Sequence, residues 1–187
     1  MEEDIRRALT VLRSGGTILY PTDTIWGIGC DATNQKAVNS IYKIKKIKGN
    51  KNMLVLLDSP EKISRYVKIL PDIAMEIINK SGKPVTIIFP NAINIASDLI
   101  APDGSIGIRI SNDPFCRNLI SRFDKPVVST SANISGKSQP QYYQEIDQEI
   151  RNSVDYIVKW KQADLSKSSA SKIIKIEEQG EITVIRE

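Results

Sequence analysis

The stretch Asp113–Lys137, DPFCRNLISRFDKPVVSTSANISGK, decides the fold class. Asp113-Pro114 reads as a helix start, because the carboxylate caps exposed amide hydrogens and proline at the first helical position loses no needed donor. That helix should run to about Phe123, and Val127 to Thr130, three of its four residues β-branched, should follow as a strand. The same alternation continues outward in both directions. Ile5, Leu9 and Leu12 form one face of a helix over residues 2–13 that Gly15-Gly16 would end. A strand Thr17 to Tyr20 follows. Asn34 caps a helix whose Ala37, Val38, Ile41 and Ile44 face inward, and Met53 to Leu57 is a short buried strand. Ser59-Pro60-Glu61 and Pro71-Asp72 begin further helices. Val85 to Phe89 and Ile106 to Ile110 read as strands, Gln141 to Ile150 as helix and Val154 to Val158 as strand. Residues 173–176 and 182–185 read as a hairpin across Glu177 to Gly180. Interleaved helices and strands with some antiparallel pairing make an α/β chain, or α+β in its antiparallel parts. Its 187 residues suit a single domain over 1–187, with no repeat and no linker dense in proline or glycine.

Composition narrows the chemistry. No apolar run approaches the ~18 residues of a membrane span, and Met1-Glu2-Glu3-Asp4 is no signal peptide, so we expect a cytoplasmic protein without a membrane partner. Histidine is absent, which removes Ser-His-Asp and Cys-His nucleophile systems and histidine-ligated metals. Cys30 and Cys116 have no metal-type spacing and read as buried thiols, so no protein metal site is expected. The 26 Lys plus Arg against 22 Asp plus Glu leave +4, mild support for an anionic ligand such as nucleotide, phosphate or RNA. Trp26 and Trp160 read as core residues rather than base-stacking platforms.

Three clusters could carry function. Lys43, Lys45, Lys46, Lys48 and Lys51 form either a solvated helix end or an anion site. Ser129 to Lys137 gathers hydroxyls, an amide, a glycine and a lysine at a strand end. Ligands collect there in α/β sheets, but a plain hydrophilic turn closed by Gly136 fits equally. No GxxxxGK[ST] or GxGxxG occurs. Arg109 shares a strand face with Gly107 and Ser105. It either grips a carboxylate or phosphate through its planar fork, or guards an edge strand.

In this order, with Gly15 to Cys30, Gly82 to Thr86 and Gly107-Ile108-Arg109, these clusters resemble the YrdC family of threonylcarbamoyl-AMP synthases in its short form. The resemblance implies a twisted mixed sheet flanked by helices around a basic cavity. It also implies condensation of L-threonine, bicarbonate or carbon dioxide, and ATP to threonylcarbamoyl-AMP and pyrophosphate, with Mg²⁺. The product would serve threonylcarbamoyladenosine modification of tRNA through downstream threonylcarbamoyl-transferase proteins, with weak RNA or tRNA contact a further implied partner. Such a nucleotidyltransferase works by positioning and charge neutralisation, so histidine is not needed. By position, Lys45 is the implied catalytic cation, and Lys45, Lys51, Ser105, Asn133 and Arg186 are the nucleotide contacts. Thr24, Arg109, Ser131 and Ser171 are the implied threonine contacts, and the Ser/Lys-rich stretch Ser166 to Ser171 a mobile lid.

Departures from the family pattern bear on activity. Ile47 stands where the KxR motif has arginine, and one lost charge-assisted contact costs about 1.5–3 kcal/mol unless Lys46 or Lys48 substitutes. Ser111, Asn52-Met53 and Leu56 replace a proline, a Pro-Leu step and, in some members, a histidine. The alternative reading is therefore a catalytically weak or inactive nucleotide- or RNA-binding member. Retention of Ser131-Ala132-Asn133 favours the active branch.

Overall fold

Strand by strand, buried side chains alternate between two apolar layers, as the pleat requires. In β3 (Leu54–Leu57), Val55 and Leu57 enter one layer and Leu56 the other. In β6 (Val127–Ser131), Val128 and Val127 divide in the same way. The computed structural model describes residues 1–47, 53–166 and 170–187. Its further strands are β1 (Ile18–Tyr20), β2 (Gly27–Gly29), β4 (Val85–Phe89), β5 (Ile106–Ile110), β7 (Tyr156–Ile157), β8 (Lys172–Ile176) and β9 (Ile182–Arg186). They form one mixed sheet in the order β7-β1-β2-β6-β3-β5-β4-β8-β9. Pairing is parallel at β1/β7, β3/β5 and β4/β8 and antiparallel elsewhere.

Helices α1 (Glu2–Arg13) and α4 (Pro114–Phe123) cover one face, where Ile5, Leu9 and Leu12 meet Phe115, Leu119 and Phe123. Helix α2 (Gln35–Ile44) covers the other with Ala37, Val38 and Ile41, and α3 (Asp72–Lys80) inserts Ala74. The predicted caps form. Asp113 accepts from the Cys116 amide at 3.0 Å, and Asn34 accepts from the amides of Lys36 and Ala37. Gly15 takes a left-handed φ of 79° just past α1, as a helix-ending glycine should.

Several expectations are corrected. Ser59-Pro60 starts only a 3-10 turn over Pro60–Arg65. The helix expected over Gln141–Ile150 splits into a 3-10 turn (Tyr143–Glu145) and α5 (Gln148–Ser153), because Asp147 caps a new start by accepting from the Glu149 amide. Strand Val154–Val158 shortens to β7. Trp160 is 38% exposed, whereas Trp26 is buried. Arg109 guards no edge, since β5 lies between β3 and β4. Both thiols are buried and free, as expected. Among the described residues no helix is long and apolar enough to cross a membrane.

Candidate functional site

Strand β6 delivers the Ser-Ala-Asn segment. Its first half pairs with β3 and its last two residues pair with β2, so the chain leaves the middle of the sheet at Ser131. The approach of β2 is close: a Cβ on Gly27 would lie 3.3 Å from Ser129 Oγ. The end of helix α2 reaches the same point. Lys45, its C-cap and only 4% exposed, donates its ammonium to the carbonyls of Ser131 and Asn133, the latter at 2.7 Å. The Ser135 amide returns a bond to the Lys45 carbonyl at 2.9 Å. The lysine-bearing helix end and the Ser-Ala-Asn turn are thus one structure, not two surfaces. The amides of Ala132, Asn133, Ser135 and Lys137 are all paired within the protein. Ser131 Oγ donates to Asn133 Oδ1 at 2.6 Å, and Asn133 Nδ2 donates to the Lys137 carbonyl at 2.6 Å. Asn133 therefore braces the turn.

A cavity of about 440 Å³, within the ordinary range for small-molecule sites, opens against this turn. Among the expected residues Thr24, Lys45, Arg109, Ser131, Asn133, Ser171 and Arg186 all line it, together with Trp26, Ile47 and Lys137. Arg109 is 3% exposed and lies 3.2 Å from the Asp23 carboxylate, a buried ion pair. The pair meets without hydrogen-bond geometry: Asp23 Oδ1 and the Arg109 Nε have no hydrogen-bond partner. Burying a guanidinium with one donor unmade is costly, and Arg109 lines the cavity in that state. Thr24 Oγ1 lies 3.0 Å from Thr22 Oγ1, which folds the β1–β2 loop over this end. On the far wall Ser171 Oγ meets Thr86 Oγ1 at 2.8 Å, while Arg186 donates Nε and Nη2 to the Ser171 carbonyl at 3.0 and 2.7 Å. Thr86 is the cross-strand neighbour of Arg109, so the two tail residues join the arginine wall.

Other expected residues lie elsewhere. Ser105 precedes β5 and is not in this lining; its hydroxyl donates to Asp103 Oδ1 at 2.6 Å, and that bond is the largest cause holding the Asp103 carboxyl down to about 2. Lys51 and Lys48 lie outside the described residues, as does the middle of the Ser166–Ser171 lid. Lys46 turns away, with a left-handed φ of 53° and its ammonium 2.5 Å from Glu149. It does not replace the arginine missing at Ile47. Neither thiol lines the cavity; burial pushes both up, so neither is an anion at neutral pH. No group of three His, Cys, Asp or Glu side chains among the described residues could hold a metal.

Sequence reasoning gave no role to Asp23 or Thr86. Asp23 carried a signal, an acid in a glycine- and threonine-rich loop with Arg109 in need of a counter-charge. Thr86 carried none, since its partner Ser171 is 85 residues away.

The Sua5/YciO/YrdC family model, described as telomere recombination, matches residues 10–187. A Methanocaldococcus jannaschii protein named "Putative threonylcarbamoyl-AMP synthase" is 38% identical, covering 98% of this chain and 87% of its own. The threonylcarbamoyl-AMP synthase of Pseudoalteromonas translucida is 32% identical, over 84% of this chain and 86% of its own. The crystal structure of P. abyssi Sua5 complexed with L-threonine superposes with a TM-score of 0.83 at 22% identity, a likeness of fold. It covers 94% of this chain and 51% of that one, so the present chain spans about half of the P. abyssi protein.

Proposed function

Because the chain belongs to the Sua5/YciO/YrdC family, we propose that it is a transferase of that family, an L-threonylcarbamoyl-AMP synthase, with one domain organised on the nine-strand sheet. The observation that carries this reading is the convergence of Lys45 with the Ser131–Asn133 turn on a cavity whose other wall holds a buried arginine with an unmade donor. One end suits a polyphosphate and the other an amino-acid carboxylate.

In the proposed reaction the threonine amine takes up bicarbonate, losing water, to give a carbamate. A carbamate oxygen then attacks the α-phosphorus of ATP; the new P–O bond forms as the bond to the β-phosphate breaks, and pyrophosphate departs. No protein nucleophile is required, in keeping with the absence of histidine. Arg109 receives the threonine carboxylate through its fork, with Asp23 balancing its charge, and Thr24 and Ser171 bound the same pocket. Lys45 holds positive charge under the Ser-Ala-Asn turn, Ser131 lies at the join between carbamate and nucleotide, and Asn133 keeps that turn in register. Arg186, held to the Ser171 carbonyl, reaches the nucleotide from the arginine wall. Mg²⁺ enters with ATP as part of the substrate. Downstream, the labile adenylate would pass to a protein that transfers it to tRNA, in the cytoplasm.

The non-catalytic reading is not favoured by the names of the relatives. The test is incubation with ATP, Mg²⁺, L-threonine and bicarbonate. Pyrophosphate release that depends on threonine is expected, and its absence would overturn the reading.

A further inference from the structure

Among the described residues four cations line the cavity: Lys45, Arg109, Lys137 and Arg186. Three have their charge engaged by buried or main-chain groups. Lys45 serves the carbonyls of Ser131 and Asn133, Arg109 the Asp23 carboxylate, and Arg186 the Ser171 carbonyl. Lys137 differs. Its side chain is 60% exposed at the rim and its ammonium lies 2.8 Å from Asp147, itself on the surface. Exposed pairs of this kind are weak, so exchanging the carboxylate for a more highly charged anion costs little. The backbone beneath is fixed, because Lys137 accepts from Asn133 Nδ2 and donates its amide to Ile134. A flexible cation thus stands on a rigid base beside the Ser-Ala-Asn turn.

We infer that Lys137 is a substrate-binding residue that leaves Asp147 to grip the phosphate tail of the nucleotide at the cavity mouth. The inference rests on the nucleotide reading above and adds a contact to it. Asp147 acts as its resting counter-ion, and Ile47, also in the lining, brings no charge to it. Lys46, also exposed but paired to Glu149, lies outside the lining and takes no part.

Steady-state pyrophosphate release with MgATP varied, at saturating threonine and bicarbonate, tests this in the wild type and in K137A, K137R, K46A and D147N. Asparagine preserves the helix cap at position 147 while removing its charge. K137A should raise the KM for ATP about tenfold, with kcat and the KM for threonine near wild type. K137R should stay within about twofold and K46A should not differ, whereas D147N should lower the KM. An unchanged KM in K137A, or an equal loss in K46A, overturns the inference. Calorimetric titration with MgATP reads the same contact without turnover. A wild type that binds MgATP but releases no threonine-dependent pyrophosphate discards the synthase reading, and a tenfold weaker K137A keeps the inference. Equal affinities, or no MgATP binding by the wild type, overturn it.

Discussion

Lys45 Nζ lies 2.7 Å from the carbonyl oxygen of Asn133, 88 residues away, and this contact ties the end of α2 to the turn that follows β6. Removing the lysine takes its bond from the Asn133 carbonyl and leaves the Ser131 carbonyl with the Asn133 amide, a loss of about 1–3 kcal/mol for the half-buried Asn133 carbonyl. Lys45→Ala should therefore abolish threonine-dependent pyrophosphate release and lower the unfolding midpoint in urea. Retention of more than a tenth of wild-type release would refute the assignment.

Ile47 lines the cavity and brings no charge to it. Ile47→Arg should leave the KM for ATP equal or lower, since a guanidinium here adds a charge-assisted contact in a site proposed to hold an anion. A raised KM would mean that the nucleotide does not pass this wall.

The buried Arg109–Asp23 pair predicts an asymmetric stability response. Arg109→Gln strands the Asp23 carboxylate and should destabilise the fold by about 3–5 kcal/mol, while adding Asp23→Asn should recover part of that loss. Arg109→Lys keeps the charge but not the fork, so the KM for threonine should rise about tenfold or more with the fold retained. Denaturant unfolding and threonine titration read the two effects separately.

Gly29 sits in β2, which lies between β1 and β6 in the sheet. A Cβ there would lie 2.6 Å from the Val128 carbonyl and from Tyr20 Cε1. Gly29→Ala should cost about 1–3 kcal/mol through overpacking and loosen the strand that holds Gly27 against the site. A melting temperature within 1 °C of wild type would show that the sheet yields without cost.

Tyr156 donates its hydroxyl to Asp4 at 2.8 Å, and burial first, then that bond, push the phenol from 10.0 up to about 12. Its contribution to stability is complete below the ordinary tyrosine value, where both folded and unfolded chains keep the proton. It is lost as pH rises towards 12, because the unfolded chain ionises first. The stability difference between wild type and Tyr156→Phe should thus shrink between about pH 10 and pH 12. A difference constant across that window would contradict the assignment.

Local signals carried most of the elements. The caps at Asn34 and Asp113, the glycine past α1 and the β8–β9 hairpin all form where expected, because each depends on neighbours within a few residues. The same locality misled at Gln141–Ile150, where the capping strength of Asp147 won over helical spacing. Trp160 was misread because composition says how often tryptophan is buried, not which copy has a layer to enter.

The amino-acid sequence by itself determined the α/β alternation, the exclusion of histidine chemistry and the segments from which the site is drawn, since these follow from residue type and short spacing. Only the tertiary structure decided which of the described lysines of the cluster, Lys43, Lys45 and Lys46, enters the site. Lys45, the C-cap of α2, is buried against the turn, whereas the left-handed backbone at Lys46, just past the helix, turns that side chain outward to Glu149. It likewise decided that Asp23 balances Arg109, that Thr86 meets Ser171 and that Ser105 stands apart. Those pairings depend on strand order across the sheet, which the energetics of the whole core selects and no local window contains.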